Sequence, residues 1–226
     1  MAKKYSIAID GPAGAGKSTI AKRLAKELGY YYVDTGAIYR TVAYFLDLLG
    51  ISPKDVDNVN RYIDELTIGI EYDADGAQHM IMNGMDVTGE IRTQDISQKA
   101  SLVSAHAVVR DVLLDMQRDV AKVHNVIMDG RDIGTVVLPK ADVKIFLTAD
   151  PEVRAKRRYD ELIARGQKAN LDTILKEIKQ RDYQDTHREV APLKMARDSI
   201  KVDTSAMDID QVVAAIREIA GKKIPI

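Results

Sequence analysis

A chain of 226 residues, 46% hydrophobic and 30% charged, has globular composition and is long enough for one core domain with an appendage or two. Its 33 basic and 34 acidic side chains give a formal charge of −1, which argues against coating nucleic acid through overall positive charge. No cysteine or tryptophan is present and aromatics are 5%, which excludes disulfides, thiolate metal sites and thiol nucleophiles and leaves little from which to build a stacking platform for single-stranded nucleic acid.

Met1 to Ser6 carries Lys3 and Lys4, but the apolar run after it, Ile7-Ala8-Ile9, stops at Asp10 and is too short for a signal peptide. No stretch approaches the roughly eighteen uninterrupted apolar residues of a membrane helix, so the expectation is a cytoplasmic protein with no membrane partner. Tyr5 to Asp10 reads as a short buried strand, Gly11 to Lys17 as a glycine-rich turn, and Ser18 to Leu28 as a helix closed by Gly29. Tyr30 to Val33 is a second strand and Ile38 to Leu49 a second helix, stopped by Gly50. Two successive strand-helix pairs favour a parallel sheet with right-handed crossovers.

After a helical stretch near Asp55 to Leu66 the rhythm changes. Thr67 to Tyr72 alternates, Asp73 to Gly76 is a turn, and His79 to Met82 followed by Asn83-Gly84 looks like a hairpin partner, so an antiparallel insert is expected, packed by Met80, Met82 and Met85. Helical periodicity returns over 93–104 and 105–123, where Val109, Val112, Leu113, Met116, Val120 and Val123 form one stripe. Val126 to Asp129 and Val143 to Leu147 are buried strands, and 150–165 and 171–186 are charged helices. Ile200 to Val202 is the last strand, and Asp208 to Ala220 a final helix with Asp208 as its cap and Gly221 as its stop.

Gly11-Pro12-Ala13-Gly14-Ala15-Gly16-Lys17-Ser18, with Thr19 behind it, satisfies the G-x-x-x-x-G-K-[ST] pattern in the required strand-loop-helix setting. Glycines allow successive amides to turn inward onto phosphate oxygens, and the following helix N-terminus adds positive potential. Lys17 supplies a mobile point charge for the β- and γ-phosphates, and the Ser18 hydroxyl can ligate magnesium. Asp129 closes an apolar strand. It either serves the magnesium water shell or caps the turn before Gly130. The four histidines, His79, His106, His124 and His187, lack metal-ligand spacing and read as structural or surface residues.

A phosphate loop alone leaves switch, motor and kinase open. No Asn-Lys-x-Asp guanine reader is present, whereas arginines recur at what look like loop or element ends: Arg40, Arg92, Arg110, Arg131, Arg157, Arg158, Arg181 and Arg188. Residues 151–197 hold 12 basic and 8 acidic side chains, against 21 and 26 elsewhere, so this part of the chain is the basic one. Singly such arginines are surface ion pairs, but together they suit an anionic acceptor held opposite a triphosphate.

GPAGAGKST (Gly11 to Thr19), DTGAIYR (Asp34 to Arg40), GEIRT (Gly89 to Thr93), GRDIGTVV (Gly130 to Val137) and the RD-x-x-D-x-x-R run from Arg181 to Arg188 followed by APL resemble the bacterial cytidylate kinases, over Ile7 to about Val213. The resemblance implies phosphoryl transfer from ATP to CMP or dCMP, with magnesium, by a monomer. It places Thr35, Arg40, Ser101, Arg110, Arg131, Asp132, Arg181, Asp185 and Arg188 around the acceptor: Asp132, Ser101 and Arg110 at the cytosine, Arg181 and Asp185 near the sugar, Arg131 and Arg188 at phosphate. Arg154, Arg157 and Arg158 belong to a lid over ATP, and Lys17, Arg131, Arg157, Arg158 and Arg188 are expected to stabilise the transferring group. The implied fold is three-layer α/β, a P-loop fold whose five-stranded parallel sheet runs 2-3-1-4-5. One domain is expected, divided into a core (1–66, 105–150, 191–226), an acceptor insert (67–104) and a lid (151–190). Another small-molecule kinase of this architecture and a nucleotide-dependent switch remain as other readings.

Overall fold

The computed structural model describes residues 3–226; Met1 and Ala2, which begin the stretch read for a leader, lie outside the described residues. In chain order the elements are β1 (Ser6–Asp10), α1 (Lys17–Leu28), β2 (Tyr31–Asp34), α2 (Thr35–Leu48), α3 (Val56–Tyr62), β3 (Ile68–Tyr72), β4 (Gln78–Met82), β5 (Met85–Asp86), α4 (Gln94–Val103), α5 (Ala107–Val123), β6 (Val126–Gly130), β7 (Val143–Thr148), α6 (Pro151–Ala164), α7 (Leu171–His187), β8 (Ile200–Asp203) and α8 (Ile209–Gly221). Five strands form a parallel sheet in the order β2-β6-β1-β7-β8, which is 2-3-1-4-5 when only these strands are counted.

The apolar runs of the central strands follow from burial on both faces. Alternate residues of β1 serve opposite cores. Ile7 and Ile9 join Leu24 of α1 and Val212 and Ile216 of α8 on one side, and Ala8 joins Val33, Ile38, Val42, Leu113 and Met128 on the other. The pairing register sets Ile9 beside Asp129 and Asp129 beside Asp34. Three acidic residues, Asp10, Asp34 and Asp129, therefore stand at the carboxyl ends of adjacent strands, the edge where ligands of such sheets are held.

Several boundaries differ from the sequence expectation. α2 starts at Thr35 rather than Ile38, because the Asp34 carboxylate accepts from the Ala37 amide at 2.8 Å and caps the helix early. The α5 stripe is not continuous: Val112 and Val123 are 43% and 59% exposed, and Arg110 and Gln117 share the buried face with Val109 and Leu113. α8 has its Asp208 capping box but runs through Gly221 instead of stopping before it. The insert gains a third strand, β5, and its Met80 and Met82 pack into the main core beside α2 while Met85 is exposed. Among the described residues no helix is long and apolar enough to cross a membrane.

The insert sheet is also pinned by polar contacts. His79 on β4 sits between Asp86 (Nδ1 to Oδ2, 2.7 Å) and Asp73 (Nε2 to Oδ2, 3.3 Å), and these hydrogen bonds, that to Asp86 foremost, hold the imidazole above its ordinary pKa of 6.5. A raised folded-state pKa stabilises fully below the unfolded value and is lost as pH climbs through the folded one. Titration of the His79 ring by NMR should give a pKa above 6.5, and His79→Gln should flatten the fall in insert stability on the alkaline side of that value. An unshifted ring pKa contradicts the staple.

Candidate active site

Between β1 and α1 the chain makes the tight turn its glycines permit. Gly11 adopts φ +151°, and a Cβ there would stand 2.0 Å from the Leu147 carbonyl oxygen on β7. Gly16, at φ +86°, takes the left-handed position from which α1 starts. Lys17 is buried as the first residue of that helix, and its ammonium donates to the Pro12 carbonyl at 2.8 Å. Burial first, and the charge of Arg131 second, push its pKa down to about 7. Ser18 and Thr19 follow on the exposed side of the first turn.

Asp129 lies within β6. Its carboxylate accepts from the Ser18 hydroxyl and from the Tyr32 hydroxyl, each at 2.9 Å, while its carbonyl accepts from Thr35 Oγ1 at 2.7 Å. Burial, reinforced by the Asp34 charge, raises its pKa to about 6. The turn after Gly130 is capped by a different residue: Asp10 accepts from the amides of Ile133 and Gly134, both at 2.7 Å. The Asp129 side chain faces Ser18 rather than that turn. This pair offers hard oxygen donors suited to Mg2+, which takes one or two protein ligands and fills its shell with water and substrate phosphate. Among the described residues no group of three or more His, Asp or Glu is gathered as a metal cage.

Next to the loop, guanidinium groups converge. Arg131 donates through Nε to Asp185 at 2.7 Å, and Arg40 donates to Asp34 at 3.0 Å. The Nε atoms of Arg40 and Arg181 are buried without a hydrogen-bond partner. Burial, then repulsion from Arg131, depresses Arg181 to about 10, and Arg40 adds to the effect. Burial opposes ionisation of Asp185, but Arg131 and Arg181 outweigh it and hold the carboxyl below its usual range. Lys17 feels both Arg131 and Arg181, so the cation cluster and the phosphate loop face one space.

A second group surrounds Asp132. Arg110 pairs with it inside the protein and also donates to the Ser104 carbonyl at 3.3 Å. Arg188 donates to Ser104 Oγ at 3.1 Å, to the Ala191 carbonyl at 2.8 Å and weakly to Asp132 at 3.5 Å. A cavity of about 290 Å³ between α4 and α7 is lined by Ser101, Leu102, Asp185 and Arg188 among others. The Arg110 guanidinium lies 5.5 Å from the Tyr39 ring centroid.

The structure thus brings Lys17, Ser18, Asp129, Thr35, Arg40, Arg131, Arg181 and Asp185 into one neighbourhood and Ser101, Arg110, Asp132 and Arg188 into the adjoining one. Arg188, expected at phosphate, is here engaged on the Asp132 side. Arg157 and Arg158 are not brought to the loop: Arg157 donates to Thr204 Oγ1 at 3.0 Å and to the Thr204 carbonyl at 2.6 Å, and Arg158 pairs with Glu161 at 2.8 Å. Arg154, one turn earlier on α6, does reach the loop and binds the Ala13 carbonyl at 2.9 Å together with both carboxylate oxygens of Asp182. Nor are the arginines mostly at element ends, since Arg40, Arg110, Arg157, Arg158 and Arg181 stand within helices. Sequence reasoning did not find Asp10, Tyr32, Asp34 or Asp182. For the first and third the available signal was an acidic residue closing an apolar strand, the same signal that marked Asp129.

The profile of the family described as cytidylate kinase matches residues 7–222. The chain belongs to the cytidylate kinase family. It is 47% identical to the cytidylate kinase of Leuconostoc mesenteroides over 97% of this chain and 98% of that one, and 49% identical to that of Ligilactobacillus salivarius over 99% of each. In fold it is similar to an uncharacterized protein from Eubacterium ventriosum, with a TM-score of 0.51 at 15% identity over 95% of this chain and 97% of that one. Family membership makes the chain a phosphotransferase of the nucleoside monophosphate kinase type.

A lysine held near pKa 7 should regain its proton when a polyphosphate arrives. Calorimetry with ADP at pH 8 in buffers of different ionisation heat should show uptake approaching about one proton, lost in Lys17→Met and shrinking toward pH 6. Identical heats in all buffers at pH 8 contradict the depressed lysine.

Proposed function

We propose that the chain transfers the γ-phosphoryl group of ATP to CMP or dCMP, giving CDP or dCDP and ADP. The observation that carries this reading is the pair of buried, unpartnered guanidinium nitrogens of Arg40 and Arg181, which with Arg131 form a cation cluster facing Lys17. Such a cluster is costly unless an anion joins it. An acceptor phosphate is that anion, and names of relatives carrying nearly the whole length of this chain support cytidylate as its bearer.

The acceptor phosphate is already ionised, so no general base is needed, and positioning and charge neutralisation supply most of the rate. Arg40, Arg131 and Arg181 seat that phosphate, Arg181 being moved here from the sugar because its buried Nε has no partner and it stands beside Arg131 and Arg40. Lys17 and the amides of residues 11–19 hold the donor. Asp185 stands within reach of the acceptor sugar, fixed by its bond to Arg131. Ser18 and Asp129 would hold Mg2+, which when bound would offset phosphate charge. Developing charge falls to Lys17 and Arg131, with Arg188 turning from Asp132 toward the phosphate. A catalytic part for Arg157 and Arg158 requires their release from Thr204 and Glu161.

Cytosine presents an amino donor beside a ring acceptor, which matches an Asp132 or Ser101 oxygen next to the Arg110 guanidinium. Uracil reverses the 4-position and leaves a buried group unpaired, at about 1–3 kcal/mol per mismatch. In this reading residues 67–104 form the acceptor side and 151–190 the lid, with the core made by the rest, and the chain acts as a monomer in the cytoplasm.

A coupled assay with CMP, dCMP, UMP and AMP should rank UMP about 5- to 150-fold below CMP in kcat/KM. UMP exceeding CMP overturns the base assignment. Lys17→Ala should stay folded yet lose transfer, and Arg181→Ala should raise the acceptor KM more than about tenfold while the ATP KM moves less than about threefold, since one charged contact is worth roughly 1.5–3 kcal/mol.

A further inference from the structure

We infer that Asp10 is a positioning residue for the transfer reaction, because its carboxylate fastens the turn that follows Arg131 and Asp132 directly to the root of the phosphate loop. Asp10 is the last residue of β1, next to Gly11, and is 2% exposed. Both of its oxygens are used on one object, the amides of Ile133 and Gly134 at 2.7 Å each. Those residues open a π-helical turn, Ile133–Val137, whose first amides have no partner within the turn. The far end of the same turn is held by Arg118 of α5, which donates to the carbonyls of Val137 at 3.1 Å and Val136 at 3.0 Å.

Strand registration does not require this carboxylate. The β1–β6 ladder already pairs Asp10 with Gly130 through the backbone. What the side chain adds is control of the chain beyond the ladder, where Arg131 and Asp132 leave the sheet. The contact is close-built: a Cβ on Gly134 would stand 3.2 Å from Asp10 Oδ2 and 3.2 Å from Lys144 Cδ, so a larger residue there has to press on one of these side chains. Burial raises the Asp10 pKa to about 6, a penalty that a neutral cap such as serine would avoid. A carboxylate in place of that cap fixes two amides at once with charge-assisted bonds.

The consequence is that the donor-gripping loop and the acceptor-gripping Arg131 and Asp132 share one short, stiff linkage through Asp10. Displacements of about 1 Å between reacting groups cost on the order of 100-fold in rate, so a linkage at this point sets the transfer geometry. This inference rests on the proposed reaction for its kinetic readout but not for its structural one.

The test is Asp10→Asn, whose amide sets a donor against one of the two amide donors and so keeps only one bond. In the free protein the Ile133 and Gly134 amide proton resonances should move upfield in this variant. With CMP and ATP, kcat should fall on the order of 10- to 100-fold and the CMP KM should rise, while the Kd for ADP alone stays within about threefold of the parent. Gly134→Ala, which presses on the same contact from the turn side, should give the same kinetic pattern, and it carries the test if Asp10→Asn does not fold. Equal losses in ADP affinity and in CMP use overturn the inference, because Asp10 then serves the loop alone. Unchanged kinetics with a lower melting temperature overturn it as well, because the contact is then only structural. Failure of the parent protein to phosphorylate CMP rejects the proposed reaction instead, and leaves the amide shifts and ADP affinity to judge Asp10.

Discussion

Crowded positive charge, only partly paired, is the constraint around which this molecule is arranged. Arg131 and Arg40 repel Arg181, and Arg131 and Arg181 repel Lys17, while Asp34 and Asp185 each bind one guanidinium and the Asp129 charge offsets part of the repulsion on Lys17. Burial first, and repulsion from Arg131 second, depress the pKa values of both Lys17 and Arg181. A fold that keeps such a cluster is held together elsewhere, by the two apolar layers on either face of the sheet, and leaves its ligand to complete the electrostatics.

The acidic residues that end the strands divide the remaining work. Asp34 caps α2 and steadies Arg40, Asp129 faces Ser18, and Asp10 organises the turn beyond β6. Their placement follows from parallel register, which aligns strand ends along one edge of the sheet. Helix α7 supplies the facing set: Arg181 and Asp185 are four residues apart and so share a face, and Arg188 follows at the cap.

The parallel sheet was legible because short apolar runs alternate with amphipathic helices, and its order because the family resemblance implies it. Local punctuation also read well, as at Gly29, Asp208 and the Asn83-Gly84 turn. Periodicity misjudged α5, since a helix lodged beside a polar site buries Arg110 and Gln117 and turns Val112 outward. It also sets the start of α2 too late, because apolar spacing does not register the Asp34 carboxylate that caps the helix. Which arginine faces which anion was beyond reach. Arg154, Arg157 and Arg158 lie within one and a half turns of a single helix, and their directions depend on helix rotation against Thr204 and Ala13, which sequence spacing does not fix.

The Arg154 fork has a mechanical meaning of its own. One guanidinium grips the phosphate loop at Ala13 and helix α7 at Asp182, and Asp182 neighbours Arg181 on the helix that also carries Asp185. The two bonds to Asp182 tie α6 to α7, so a swing of that hairpin away from the loop must break the single Arg154 bond to Ala13.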